Sequence, residues 1–517
     1  MPPDQAIPPE ATAYGSRRFV AACAAIGLLV FVVCVVLASQ EDFYGDDLVF
    51  LRRAQLPRDW LHVFVSFRPR GWWSYRPLSI EVFFSTLHAV AGLDSFPYLL
   101  VSVLTHFAAG ALVWRIAVQL GIDRRVALVA ALMKVSMYPS LNGELFWVSA
   151  FQTVLGSFFY LLTVTLFLQY LTEGRRRYRT AASVAMILAL LSNELALTLP
   201  GPLVLLAVFF GSGAPVPRLR AAFRACVPMI VILGVYVPFR YVLIWKSFLP
   251  TPALNVPHLG WQVVWNVPVF LRILAGRSAT LQVVLVAIVA AGWICAARLG
   301  GGAPTVLARS VLLLSGWLLC AMVPFLGAYF LHHRAAVVLE GPFCLLIAAH
   351  LDPIVRAVTA PRTARVVEAA VLALLAVAFP WQAVVEQARM PRGKVNRDLL
   401  GILAREPGGV PVGACVRLRT RAEDTWTSAQ LFALRFNTTG LLAVHYPGRF
   451  LEVPPEPGQP QVFRRNCAPV VDVDVLHGVE GDRATFDLRR AAGPDARAKE
   501  SRGTFVSTWI DSSGTSR

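Results

Sequence analysis

Two adjacent carboxylates, Asp46 and Asp47, stand in the stretch "EDFYGDDLVFLRR" (residues 41–53), which follows closely on the first apolar run of the chain and ends in Arg52 and Arg53. Paired acids beside cations are what general-base chemistry on an anionic substrate requires: one acid accepts a proton, and the cations hold a negatively charged leaving group. A solvated helix terminus is the plainer explanation of such a pair, and residue chemistry alone leaves both open. The following loop adds Arg58, Arg68, Arg70 and Arg76, interleaved with Trp60, Phe64, Trp72, Trp73, Tyr75, Phe83 and Phe84. Aromatic and cationic side chains together favour the headgroup level of a membrane, in segments lying on its surface. Guanidinium groups there either anchor the chain or bind a phosphate through paired hydrogen bonds.

Three short turns present further ionisable groups: Glu144 in "MYPSLNGELFWVSAFQ", Glu194 in "LLSNELALTLP" and Arg334 in "YFLHHRAAVVLEGP". Charges near membrane depth are expensive and are functional candidates for that reason. No His/Cys cluster has zinc spacing, so no metal ligand is assigned. Two carboxylates do not by themselves define a metal site, and a divalent ion (Mg or Mn) is the one cofactor left open. His332 and His333 are adjacent, so on a helix they point about 100° apart, which favours interfacial anchoring over a metal pair. Lys134, inside an apolar run, either snorkels to the surface or pairs with an acid.

These groups are carried by a chain of 517 residues, 56% hydrophobic and 15% charged. Its apolar runs of about 18 to 22 residues match the length that crosses about 30 Å of hydrocarbon as a helix. Eleven spans are expected, at 19–39, 97–119, 125–139, 150–171, 180–192, 196–211, 225–243, 280–298, 310–330, 336–351 and 366–386. Five alternate loops, from "GIDRR" to "DPIVRAVTAPRTAR", hold 14 arginines against three acids. Arginine-rich short loops stay cytoplasmic, which puts the N-terminus inside and the acidic pair outside. The net charge of +17 is spread over membrane flanks, a distribution that argues against a nucleic-acid surface.

The expected organisation is a cytoplasmic tail (1–18), a membrane domain (19–386) with a long outer loop (40–96), an extracytoplasmic domain (390–497) and a disordered tail (498–517). In the outer domain "VPVGACVRLRT", "GLLAVHYPG", "PVVDVDVLHGV" and "RATFDLRRA" alternate as strands do, and "AEDTWTSAQLFALRF" has a helical period. The fold class is thus an all-α polytopic membrane protein with a small C-terminal α/β or β-rich domain. Cys415 and Cys467 are the two cysteines of that domain. In an oxidising compartment they are expected to pair, constraining the unfolded chain by about 4 kcal/mol.

Motif order adds a family resemblance. "FYGDDLVF", "YRPLSIEVFF", "YPSLNGELFWVSAFQ" and "SNELALTLP" occur in the sequence and on the membrane side seen in type-C (GT-C fold) glycosyltransferases. The chain is most similar there to protein O-mannosyltransferase-like proteins and the transmembrane, tetratricopeptide-containing O-mannosyltransferases, without the tetratricopeptide repeats. The resemblance covers residues 19–350. It implies Asp46, Asp47 and Glu144 as catalytic candidates, and Arg76, Arg334, His106, Glu194, Trp147 and Gln152 as substrate-binding ones. Four family residues are missing: Phe151 and Gln152 stand where an arginine is usual, Asn193 replaces a lysine, and Ala335 and Val337 replace tyrosines.

The resemblance implies transfer of a sugar, with inversion, from a polyprenyl-phosphate donor to a hydroxyl of a glycan, lipid or protein outside the membrane. The partners are that donor, the acceptor and membrane lipids, with no nucleic acid; the location is a multi-pass inner (plasma) membrane protein. Two alternatives have different signatures. A transporter would show inverted repeats and broken helices. A non-catalytic lipid-binding or assembly protein would keep the fold and lose the chemistry.

Overall fold

The computed structural model describes residues 13–55, 64, 75–137, 140–141, 145–211, 213–245, 261–275, 279–326, 333–357, 394–405, 415–420, 441, 444–445, 450–452, 470–480, 483–490 and 503–504. The membrane region is built from α1 (Ala13–Ala38), α2 (Asp46–Ala54), α3 (Phe83–Ala91), α4 (Ser95–Gln119), α5 (Arg124–Ser136), α6 (Phe151–Glu173), α7 (Arg176–Ser192), α8 (Pro200–Phe210), α9 (Pro215–Trp245), α10 (Trp261–Ala275), α11 (Ala279–Leu299), α12 (Ala303–Leu326) and α13 (His333–Ala357). Ten of the eleven expected segments fall on these helices. The eleventh, 366–386, lies outside the described residues. Seven helices among the described residues are long and apolar enough to cross a membrane, in α1, α4, α6, α9, α11, α12 and α13. The helices α5, α7 and α8 are shorter, with 13, 17 and 11 residues. The protein is a multi-pass membrane protein, mostly helical.

Exposure sorts the helices. Leu28 on α1 (64% exposed), Val235 on α9 (66%) and Leu312 on α12 (67%) project outward. Water would penalise such a surface, whereas lipid solvates it. The opposite case is α13, whose apolar window is 83% buried. It packs against α5, α6, α11 and α12 and forms the centre of the bundle. Glycines permit the close approaches: a Cβ on Gly156 of α6 would lie 2.6 Å from Cβ of Asn193, at the end of α7.

The described parts of the loop between α1 and α4 pack against the bundle. After α1 the chain turns through Gly45 (φ 60°, ψ −125°), a backbone conformation that only glycine adopts without strain, and α2 starts at Asp46. A π-helical turn, Pro77–Val82, leads into α3. Ser79 Oγ donates to the carbonyl of Ser192 at 2.7 Å, which pins this turn to the end of α7.

Beyond the bundle lie α14 (Lys394–Ala404) and a five-stranded sheet of order β2-β1-β3-β4-β5. The strands are β1 (Cys415–Thr420), β2 (Phe450–Glu452), β3 (Val470–Glu480), β4 (Arg483–Arg490) and β5 (Gly503–Thr504). β1 runs parallel to β2 and β3, and the β3–β4–β5 pairs are antiparallel. Three of the expected strand segments coincide with β1, β3 and β4. The "GLLAVHYPG" segment instead has Leu441, Val444 and His445 in helical backbone. Gly503 and Thr504, within the stretch expected to be a disordered tail, pair with β4. Leu399, Leu403, Val416, Leu441, Val444 and Val473 join a core shared with α1, α2, α3 and α4. Cys415 is in register with Val470; Cys467 lies outside the described residues.

Candidate active site

The acidic pair is divided by burial. Asp47 is completely enclosed, while Asp46, one residue earlier on α2, is only partly buried. Successive residues on a helix point about 100° apart, so one acid faces the core and the other does not. Asp47 Oδ1 accepts the backbone N–H of Ser149 at 2.6 Å and also the Ser149 hydroxyl. Its Oδ2 accepts the backbone N–H of Tyr44 at 3.1 Å. Burial pushes the Asp47 carboxyl up to about 7, against the pull of these donated bonds and with a small further push from Asp46. Asp46 makes no hydrogen bond to another described side chain or backbone group, and its charge reaches Arg76.

Arg76 caps the π-helical turn. Its guanidinium forks onto Glu194, with Nε donating to Oε2 at 2.6 Å and Nη2 to Oε1 at 2.5 Å. Nη1 donates to the side-chain oxygen of Gln152. Gln152 thus serves Arg76 as a hydrogen-bond acceptor. Asn193 caps the short turn at Glu194 by accepting the N–H of Leu195 at 3.1 Å. Burial opposes the Arg76 charge, and Glu194 sustains it. This geometry already commits much of Arg76 to protein acceptors.

A second guanidinium completes the cluster. Arg240, near the end of α9, brings Nη2 to 3.8 Å from Glu194 Oε1. Its Nε is buried and has no hydrogen-bond partner among the described residues. Sequence reasoning missed Arg240 because it lies within an apolar run; the available signal was an arginine close to the outer end of that run, just after Pro238 in "VPFRYVLIW".

Trp147 borders the acidic turn. Its ring stacks on Tyr44, with centroids 5.2 Å apart, and its Nε1 donates to the Tyr44 carbonyl at 3.3 Å. Asp47, Tyr44, Ser149 and Trp147 thus form one contact group, and Arg76, Gln152, Glu194 and Arg240 a second; the charge of Asp46 reaches Arg76 between them. His106 lies apart: it is buried within α4, its ring against Lys134 and the Val135 carbonyl. Glu144 lies outside the described residues. Arg334 falls in the first turn of α13, and its side chain lies outside them too. Among the described residues no three His, Cys, Asp or Glu side chains converge as a metal site requires.

No protein-family model matches the chain, and no curated protein matches it in sequence. Its structure is similar to that of ArnT from Cupriavidus metallidurans bound to undecaprenyl phosphate, at 15% identity, covering 89% of this chain and 93% of that one, with a TM-score of 0.50. ArnT in the apo state is matched at 15% identity over 85% and 90% of the chains, TM-score 0.49. The archaeal oligosaccharyltransferase AglB from Archaeoglobus fulgidus, in complex with an inhibitory peptide and a dolichol-phosphate, is matched at 12% identity over 85% of this chain and 65% of that one, TM-score 0.46. At such identities the likeness concerns architecture: the chain has the GT-C type of fold that its motifs implied.

Proposed function

We propose that the protein is an integral-membrane glycosyltransferase. It transfers a sugar from a polyprenyl-phosphate donor to an acceptor hydroxyl on the extracytoplasmic side, inverting the anomeric carbon. The observation that carries this reading is the division of the acidic pair beside the Arg76–Glu194–Arg240 cluster. Asp47 is consumed by Ser149 and Tyr44, so it supports the turn. Asp46 is only partly buried, its charge reaches Arg76, and it is the base.

In the reaction the acceptor oxygen attacks the anomeric carbon while its proton passes to Asp46. The bond from that carbon to the phosphate oxygen breaks, and the lipid phosphate leaves with the electron pair. Negative charge grows on the leaving oxygen, and guanidinium groups fixed beforehand stabilise it most effectively. Arg240 has donors to spare and takes this role; Arg76, held by Glu194 and Gln152, supplies field and shape. Arg334 is retained as a further phosphate ligand, Glu144 as a second acid on the same turn as Trp147, and His106 as a residue of the second span behind the site. The O-mannosyltransferase-like motifs favour a hexose such as mannose. The arginine asymmetry favours the plasma (inner) membrane, with the N-terminus cytoplasmic and the sheet domain outside.

A transporter reading draws on the buried charges Lys134 and Glu340, since ionisable groups inside spans often line ion paths. Those two are sealed, at 0% exposure each, and the open charges lie at the rim instead. Purified protein given a labelled polyprenyl-phosphate sugar and a hydroxyl acceptor tests the proposal. Release of lipid phosphate is expected, and Asp46→Asn should abolish it while lipid binding persists. Full activity in that variant removes Asp46 from the reaction.

A further inference from the structure

Behind the site lies a group of buried charges that the transfer chemistry does not use. Lys134 on α5 and Glu340 on α13 are both fully enclosed, with Nζ and Oε2 2.6 Å apart. Two charges removed from water are costly unless further hydrogen bonds satisfy them, and here such bonds are present. Lys134 Nζ lies 3.4 Å from Nδ1 of His106. His106 Nε2 lies 3.2 Å from the carbonyl of Val135, which can only accept. The ring proton is therefore on Nε2, leaving Nδ1 to accept from the ammonium. On the other side, Glu340 Oε1 accepts the backbone N–H of Ser140 at 2.9 Å and its hydroxyl at 2.8 Å.

Ser140 begins the segment that leads to the acidic pair. Its carbonyl accepts the N–H of Leu145 at 2.9 Å. Trp147 then stacks on Tyr44, and Ser149 donates twice to Asp47. An apolar pair would join α5 to α13 as well as the ions do. What it lacks is a carboxylate aimed at a backbone N–H in a short turn outside the spans. We propose that Lys134 and Glu340 are positioning residues: a buried ionic anchor that fixes Ser140 and, through its bond to Leu145, the 145–149 stretch, and so sets how Ser149 holds the acidic pair. This role rests on Asp46, on the turn that Asp47 supports, being the base of the function proposed above.

Two variants of the full chain test it. Ser140→Ala removes the hydroxyl and leaves the ion pair; Lys134→Met combined with Glu340→Gln removes both charges at nearly constant volume. Hydrogen exchange in detergent, read at peptides containing Ser149, reports on the anchor without reference to activity. In both variants the Ser149 region is expected to exchange at least about tenfold faster, with the remaining spans unchanged. The kcat for lipid-phosphate release should fall about ten- to a hundredfold while KM for the donor stays within about twofold. Unchanged exchange at Ser149 overturns the anchor. So does a uniform rise across all spans, which would mark the charges as serving stability alone. Faster exchange with wild-type kcat overturns the positioning role. If the wild-type protein releases no lipid phosphate, the glycosyltransferase reading fails by itself, and the exchange result still decides the anchor.

Discussion

Ser149 holds Asp47 through two donors at once, its backbone N–H and its hydroxyl, both on the same carboxylate oxygen. This contact joins the start of α6 to the start of α2 and turns one member of an acidic pair into a structural group. The first prediction follows from it. Asp47 is held near 7, above the ordinary carboxylate value of 3.8, so the folded state keeps its proton over a wider range than the unfolded one. Its contribution to stability is then fully present below about pH 4 and is lost as pH rises to about 7. The unfolding midpoint of Asp47→Asn, relative to wild type, should therefore climb across that window. Parallel curves from pH 4 to 7 would refute the burial-driven shift.

Gly45 is the hinge of the acidic turn. At φ 60° and ψ −125° any side chain is strained, and Gly45→Ala should destabilise by roughly 1–2 kcal/mol or more. Because the strain falls one residue before Asp46, activity should drop further than the loss of folded protein explains. Comparing specific activity with the folded fraction, by thermal unfolding at matched temperature, checks this.

Arg240 and Arg76 should separate by phenotype. Arg240→Gln removes free donors and should weaken binding of polyprenyl phosphate about tenfold or more, with little change in stability. Arg76→Gln strips Glu194 of its forked partner and should cost about 2 kcal/mol of stability. A titration with the lipid phosphate, run beside thermal melts of both variants, distinguishes them. Equal binding losses at equal stability would remove the division of labour.

Topology is open to labelling. A cysteine replacing Arg177, in "EGRRRYR", should react with an impermeant maleimide only after the membrane is opened. One replacing Gly458 should react in intact cells or spheroplasts. The reverse pattern would move the acidic pair to the cytoplasmic side and end the proposed reaction.

The helices were legible because lipid demands long apolar runs, and ten expected segments fall on helices for that reason. Arg76, Gln152, Trp147 and Glu194 were singled out by the order of short motifs, and three of them, Arg76, Gln152 and Glu194, are in contact. The unequal fates of Asp46 and Asp47 were not. Adjacent acids look alike in a sequence, and the residue that selects between them, Ser149, is 102 positions away. Lys134 was visible as an anomaly inside an apolar run, but its partner Glu340 is 206 residues further on, and nothing local announces that pairing. Arg240 was hidden differently: hydropathy averages over a window, and one arginine near the end of a long apolar run scarcely alters it.

The core shared between α2 and the sheet domain has a consequence in time. Leu48, Phe50 and Leu51 of α2 are packed in one cluster with Leu399, Leu403, Val416 and Val444, and Gln55 Nε2 donates to the Val444 carbonyl 389 residues later. A growing chain makes the acidic helix early and its cover late, at synthesis rates of about 5–20 residues per second. For tens of seconds α2 must wait at the membrane without the residues from 399 onward that share its core. A nascent chain therefore carries every residue of α2 before the packing that fixes it, and α2 settles only when residues 399–473 arrive.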